Sequence, residues 1–246
     1  MDDLQSSIKT IDLHIHTQFS DGICSVEEVS KIVEIKHLSL IAIADHYSEL
    51  VRLPKRMSKY HLSRYLDTLE NFNLLKGVEV EILNDGTVSI SRTSSDLFDV
   101  ILGGLHIIKG IRLWGDYSPI LNKPDYVEAI RVALIKAMES GLIEVIAHVT
   151  RLPETLLSES NRLITYDWID SVVDAASDYG IAVELSGAWK IPDERFVTEC
   201  LKQGVKLSLG SDAHSLQMVG DTRYGVELMK QLEIDKDSIF LPKKTS

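Results

Sequence analysis

The stretch "IDLHIHTQFSDGICSVEEVSKIVEIKHLSLIAIADH", Ile11 to His46, decides the fold class. Ile11, Leu13 and Ile15 are apolar while Asp12, His14 and His16 are polar, the period-two alternation of a strand. "SVEEVSKIVEIK" follows with Ser25 placed to cap a helix and Glu27 and Glu28 in its first turn, where carboxylates favour the helix dipole. The unbroken apolar run "LSLIAIA", Leu38 to Ala44, then reads as a strand buried on both faces, as in a parallel sheet. Strand, helix and strand make one β-α-β unit.

The unit repeats along the chain. Strands are expected at 75–81, 98–105, 143–147, 181–186 and 205–210, and helices at 58–71, 125–140, 167–179, 193–203 and 222–232. Seven strands with crossover helices predict a closed or nearly closed parallel α/β barrel, with an open doubly wound sheet as the alternative. Periodicity does not say whether the first and last strands meet. "PKRMSK" and "WGDYSPILNKP" read as loops within one domain spanning residues 1–246.

Composition excludes several classes. With 44% hydrophobic and 26% charged residues, the chain has an ordinary globular balance, and no apolar run approaches the ~20 residues of a membrane span. The acidic start "MDDLQSS" is unlike a secretory signal, so the expected location is cytoplasmic. Cys24 and Cys200 are far apart and are expected to be reduced thiols. A net charge of −11 disfavours nonspecific binding along a nucleic-acid backbone, although bound divalent ions would concentrate positive charge in one cleft.

The polar residues sort by position. His14 and His16 lie at the end of the first strand, with Asp21 in the following loop; then come His46, Glu79, His106, His148, and finally Asp212 and His214. All fall at or just past the carboxyl end of a proposed strand, the end where an α/β barrel assembles its active site, and this favours the barrel over the open sheet. For any single histidine a hydrogen-bonded polar residue beside the core would explain as much, but together they converge. The other two, His37 and His61, lie near helix ends and read as surface or capping residues. Nine donors exceed what one ion uses, and imidazoles with carboxylates and no thiolate suit zinc, manganese or iron.

The motifs "HIHTQFSDG", "IADH", "GVEVE", "GGLH", "AH" at Ala147–His148 and "GSDAH" resemble those of the polymerase and histidinol phosphatase (PHP) family across nearly the whole chain. The resemblance implies a distorted (β/α)7 TIM-like barrel with a trinuclear metal centre at the strand ends, holding up to three divalent ions (Zn, Mn or Fe). By that resemblance His14, His16, Glu79 and Asp212 look like the ligands of one ion, Asp21, His46 and His214 those of a second, and His106 and His148, with Glu79 shared, those of a third. "GVEVEILNDGTV" and "DTRYGVELMK" resemble in particular stand-alone PHP phosphoesterases and the PHP domain that follows bacterial family X DNA polymerases; the barrel accounts for all 246 residues, so no polymerase domain is expected.

Closely spaced ions lower the pKa of a bridging water and neutralise phosphoryl oxygens, so phosphoester hydrolysis by hydroxide is the expected chemistry, with no protein nucleophile. Arg151 and Arg223 are expected phosphate clamps, because guanidinium binds phosphate oxygens bidentately, with a salt bridge as the plain alternative for each. Lys190 is a weaker candidate, and Trp189 is expected to anchor its loop. The expected partner is a small phosphorylated substrate. A 3′-5′ exonuclease or 3′-end phosphatase acting on a nucleic-acid end, a histidinol-phosphatase, and, less favoured, an amidohydrolase are the alternatives.

Overall fold

Ile11–Ile15 forms the first strand, β1, and all of it is buried. In the computed structural model, which describes residues 11–242, a helix at Val26–Ile35 leads to β2, Leu40–Ile43. Ser25 and Glu28 cap that helix reciprocally: the Glu28 amide donates to the Ser25 hydroxyl at 3.2 Å, and the Ser25 amide donates to Glu28 Oε2 at 2.9 Å. This cap fixes where the helix begins and so sets the length of the loop that carries Asp21.

The remaining strands are β3 (His46–Tyr47), β4 (Leu75–Ile82), β5 (Val100–Leu105), β6 (Ile107–Ile108), β7 (Ile111–Arg112), β8 (Val145–Ile146), β9 (Ala182–Ser186) and β10 (Leu207–Gly210). Parallel pairing runs β1-β2-β4-β5-β8-β9-β10. β3 also pairs with β4 and resumes the line of β2 after a break at Ala44–Asp45, setting His46 opposite Glu79. The sheet turns back on itself, because Ile15 bridges Ala213 just beyond β10 and the His16 amide donates to the Ala213 carbonyl at 2.8 Å. The seven-stranded, nearly closed barrel therefore holds and the open-sheet alternative does not.

Helices at Leu62–Asn71, Lys123–Glu139, Tyr166–Tyr179, Glu194–Lys202 and Arg223–Gln231 match the expected segments to within a few residues. The segment expected to be helical from 58 instead opens as a 3-10 turn, Lys59–His61, because the Ser58 amide donates to the His61 ring at 3.1 Å and tightens the first turn. Sequence periodicity missed the antiparallel hairpin β6–β7, a separate two-stranded sheet that begins one residue after β5. Its turn is built on Lys109 and Gly110, both left-handed at φ 50° and 78°. The strand expected at 143–147 contracts to Val145–Ile146, but its flanks still pair, with the Glu144 amide donating to Ile101 at 2.8 Å and the Ala147 amide to Gly103 at 3.0 Å.

Tyr65 holds the break between β2 and β3. Its fully buried hydroxyl meets the carbonyls of Ile43 at 3.0 Å and Gly77 at 2.9 Å, and accepts from the Asp45 amide at 3.3 Å. Tyr65→Phe leaves these buried polar groups short of a partner, and urea denaturation should show a loss of about 1–3 kcal/mol. An unchanged stability would remove Tyr65 from this role.

Candidate metal centre

The barrel brings the nine sequence-predicted donors together at the carboxyl ends of its strands. His14 is the penultimate residue of β1 with His16 just past the strand, His46 opens β3, Glu79 lies within β4, His106 follows β5, His148 follows β8, and Asp212 and His214 follow β10. Seven are buried, while Asp21 and His214 are half-buried. Glu79 is the hub. Its Oε2 lies 3.4 Å from His14 Nε2, 3.6 Å from His16 Nε2 and 2.7 Å from His46 Nδ1, and its Oε1 lies 3.1 Å from His106 Nε2 and 3.0 Å from His148 Nε2.

Donor atoms gather in three groups, each with every atom within 4.8 Å of the others: His16, Asp21, His46 and His214; His14, His16 and Glu79; and His46, Glu79 and His106. Asp212 joins the second through Oδ1, 3.1 Å from His16 Nε2 and 3.8 Å from His14 Nε2. Compared with the expected partition, His16 and His46 each stand between groups. His46 turns Nε2 toward Asp21 at 3.5 Å and Nδ1 toward Glu79.

A second set of residues, which sequence reasoning missed, orients these donors. Glu184, fully buried in β9, faces His14 Nδ1 through Oε1 at 2.6 Å and accepts the His148 amide through Oε2 at 2.8 Å. Glu81 faces His106 Nδ1 at 3.1 Å and accepts from Arg56 at 3.2 Å. The Trp189 indole donates to Asp212 Oδ2 at 2.7 Å. Asp45 accepts from the Thr17 amide at 2.8 Å and from the Thr17 and Ser20 hydroxyls, which fastens the loop leading to Asp21. Asp12 accepts the Ser211 and Gly220 amides, both at 2.8 Å, and joins β1 to the segment after β10. The available signal was a carboxylate inside an apolar strand, as in "IAVELS", where only a buried partner makes the charge tolerable.

Close packing around these carboxylates leaves no room for a side chain at two glycines. A Cβ on Gly104 would lie 2.1 Å from Glu79 Oε1, and one on Gly210 would lie 2.2 Å from Glu184 Oε1. His148 and Asp212 adopt left-handed backbone at φ 34° and 52°, an uncommon conformation for a histidine, which the Glu184 bond to the His148 amide helps to hold.

Charge follows the same geometry. Burial would raise the Glu79 carboxyl, but His106, His46 and His14 hold it well below the usual carboxylate range. Burial would likewise lower His106, yet Glu81 and Glu79 push it up to about 10. Burial, reinforced by His46, brings His16 down to about 3, so its ring is neutral and able to donate a lone pair. Three buried atoms of the set, Asp21 Oδ1, His46 Nδ1 and Glu79 Oε2, have no hydrogen-bond partner, although the last two face each other at 2.7 Å. Buried lone pairs aimed at one another without a hydrogen bond, in a nitrogen and oxygen donor set, fit divalent transition ions.

The donors open into a cleft of about 70 Å³ walled by Leu105, Leu113, Trp114 and Trp189. Arg151 lines it, with its guanidinium 4.2 Å from the Trp189 ring centroid and Nη2 2.6 Å from Glu154, while its buried Nε has no partner. Trp189 is thus an anchor that also forms part of the wall. Two expected clamps fall elsewhere. Arg223 is exposed and paired with Asp221 at 2.7 Å, because it begins the last helix on the outer surface, away from the cleft. Lys190 is exposed in a neighbouring groove. His61 caps a helix start and His37 is exposed, as expected.

A profile of the PHP domain matches residues 12–188. The chain belongs to the PHP domain family. This PHP chain is 29% identical over 226 residues to the DNA polymerase/3′-5′ exonuclease PolX of Bacillus subtilis, covering 87% of this chain but spanning only 36% of that protein. It is 26% identical over 240 residues to a probable phosphatase of Pectobacterium atrosepticum, covering 93% of this chain and 88% of that protein. Its fold superposes with a TM-score of 0.65 and 16% identity on a histidinol phosphate phosphatase of Lactococcus lactis solved with zinc, L-histidinol and phosphate, covering 91% and 93% of the two chains. The chain is thus a PHP-family protein whose described residues include clusters able to hold metal ions.

Because Glu184 touches both His14 and the His148 backbone, Glu184→Gln should weaken zinc or manganese binding by roughly 10–100-fold in a competition titration while the far-ultraviolet circular dichroism stays unchanged. Parent-like affinity would mean that Glu184 only fills space.

Proposed function

We propose that this protein is a metal-dependent phosphoesterase that hydrolyses a small phosphate ester at a trinuclear site. The observation that carries the reading is the convergence of six imidazoles and three carboxylates on one buried pocket centred on Glu79. His14, His16, Asp212 and Glu79 would hold one ion, Asp21, His46 and His214 a second, and His106, His148 and Glu79 a third. Divalent ions there would supply a water of lowered pKa and neutralise phosphoryl oxygens as charge develops.

The chain's own residues do the rest. Arg151 would take a phosphoryl oxygen through its unpartnered edge, with Glu154 and the Trp189 ring fixing its orientation. Trp189 holds Asp212 in position through the indole N–H, and the Leu105, Leu113 and Trp114 wall excludes water from one side of the cleft. No serine or cysteine nucleophile is required. Zinc, manganese and iron all match the donor set, and metal preference is a quantity for reconstitution to measure.

A second reading, trimming of a nucleic-acid 3′ end, is favoured by the similarity to a polymerase that carries 3′-5′ exonuclease activity. The net charge of −11 weighs against it as the main role. Histidinol phosphate stays among the substrates to be screened.

Three outcomes are expected. Elemental analysis of reconstituted protein should find more than one transition-metal ion per chain, and one ion or fewer in folded protein would remove the multinuclear site. Asp212→Asn should abolish phosphoester hydrolysis and lower the melting temperature through lost metal linkage. Arg151→Ala should cost about 1.5–3 kcal/mol in kcat/KM at unchanged metal content, whereas Arg223→Ala, outside the cleft, should leave kcat/KM at the parent value.

A further inference from the structure

The cleft at the metal-ligating residues is small, about 70 Å³. A second cavity, of about 320 Å³, lies against it and shares two of its residues, Arg151 and Trp189, which form the sill between the two. The alcohol portion of a substrate whose phosphoryl group sits in the cleft has this groove as its neighbour.

The groove differs in charge from the rest of the molecule. The chain carries −11 overall, yet Arg151, Lys190 and Arg195 line the groove against a single carboxylate, Asp193. Asp193 is already engaged: Oδ2 accepts from Arg195 Nε at 2.9 Å and Oδ1 accepts from the Phe196 amide at 3.2 Å, capping the helix Glu194–Lys202. Arg151 spends one nitrogen on Glu154, and its buried Nε is unpartnered. Lys190 is exposed and pairs with no carboxylate among the described residues. Thr150 and Asn161 add polar groups to the same walls. With Arg151 paired to Glu154 and Arg195 to Asp193, Lys190 is the uncompensated cation of the groove, and it stands beside a guanidinium whose buried Nε is unmet, a setting for an anion.

We propose that this groove is a second anion subsite, and that the preferred substrates are small phosphate esters whose leaving alcohol itself carries a further phosphate or carboxylate. Resting on the phosphoesterase reading, the proposal adds to it a substrate class. The reacting phosphoryl group sits in the cleft, the Arg151–Trp189 sill lies beside the ester linkage, and the second anion meets Lys190 and Arg195 in the groove.

The test compares esters that differ only in the distal anion, with metal-reconstituted protein: fructose 1-phosphate against fructose 1,6-bisphosphate, and glycerol 3-phosphate against 3-phosphoglycerate. A kcat/KM preference of about tenfold or more for the doubly anionic member of each pair is expected, the scale of one charge-assisted contact. In Lys190→Glu and in Arg195→Gln that preference ratio should collapse toward one, with circular dichroism and metal content as in the parent. Equal turnover within both pairs, or a ratio untouched by both substitutions, overturns the subsite while the phosphoesterase reading stands. No turnover of any ester by protein holding its full metal complement overturns both. A short thymidine oligonucleotide is the remaining arm: faster turnover than the bisphosphate, with the same dependence on Lys190, would assign the second anion to a strand phosphate and overturn the small-ester class.

Discussion

One buried carboxylate organises the molecule. Glu79 sits in the middle of β4 with five imidazoles within 3.6 Å of its oxygens, and no water-exposed surface relieves its charge. A buried charge is tolerable only when partnered, and here the partners come from β1, β3 and the ends of β5 and β8. The same concentration of unshared lone pairs that would burden an inert core is what a set of divalent ions requires.

Rigidity is supplied from behind. Glu184 grips His14 and the turn at His148, Glu81, itself held by Arg56, grips His106, and Asp12 ties β1 to the chain after β10. Asp12 is fully buried, and that burial pushes its carboxyl up to about 6 against the pull of its backbone donors. These contacts cross between strands that are distant in sequence, so barrel closure and donor placement are one event. The glycines at 104 and 210 belong to the same arrangement, since each gives up its side-chain volume to a carboxylate that must approach closely.

In the proposed reading, the cleft and the groove beside it divide the recognition task. A compact pocket of nitrogen and oxygen donors defines the chemistry, while the Arg151–Trp189 pair at its edge leads to a wider and more basic space. The ligating residues sit on or just past strand ends, whereas the groove is built from the segments after β8 and β9 and from the start of the following helix. Such loops are where members of one barrel family acquire different substrates.

Most of the framework was legible in the sequence, for a local reason. Alternation in Ile11–Ile15, the apolar run ending at Ala44 and Ser25 as a helix cap are short-range signals, and polar residues at the ends of successive strands predict a shared face once the strands are parallel. The sequence by itself thus determined the order of the seven parallel strands and their crossover helices, and the nine residues that would converge at their ends. It did not determine which residues support them: Glu184 and Glu81 have the periodicity of ordinary strand positions, and only the barrel's curvature sets them against His14 and His106. It misplaced Arg223 because proximity along the chain to His214 is undone by the start of the last helix, which carries the guanidinium outward to Asp221. The turn at Lys109–Gly110, the closure at Ala213 and the basic groove were likewise decided only by tertiary structure, because each depends on the spacing of chain segments that local propensity does not relate.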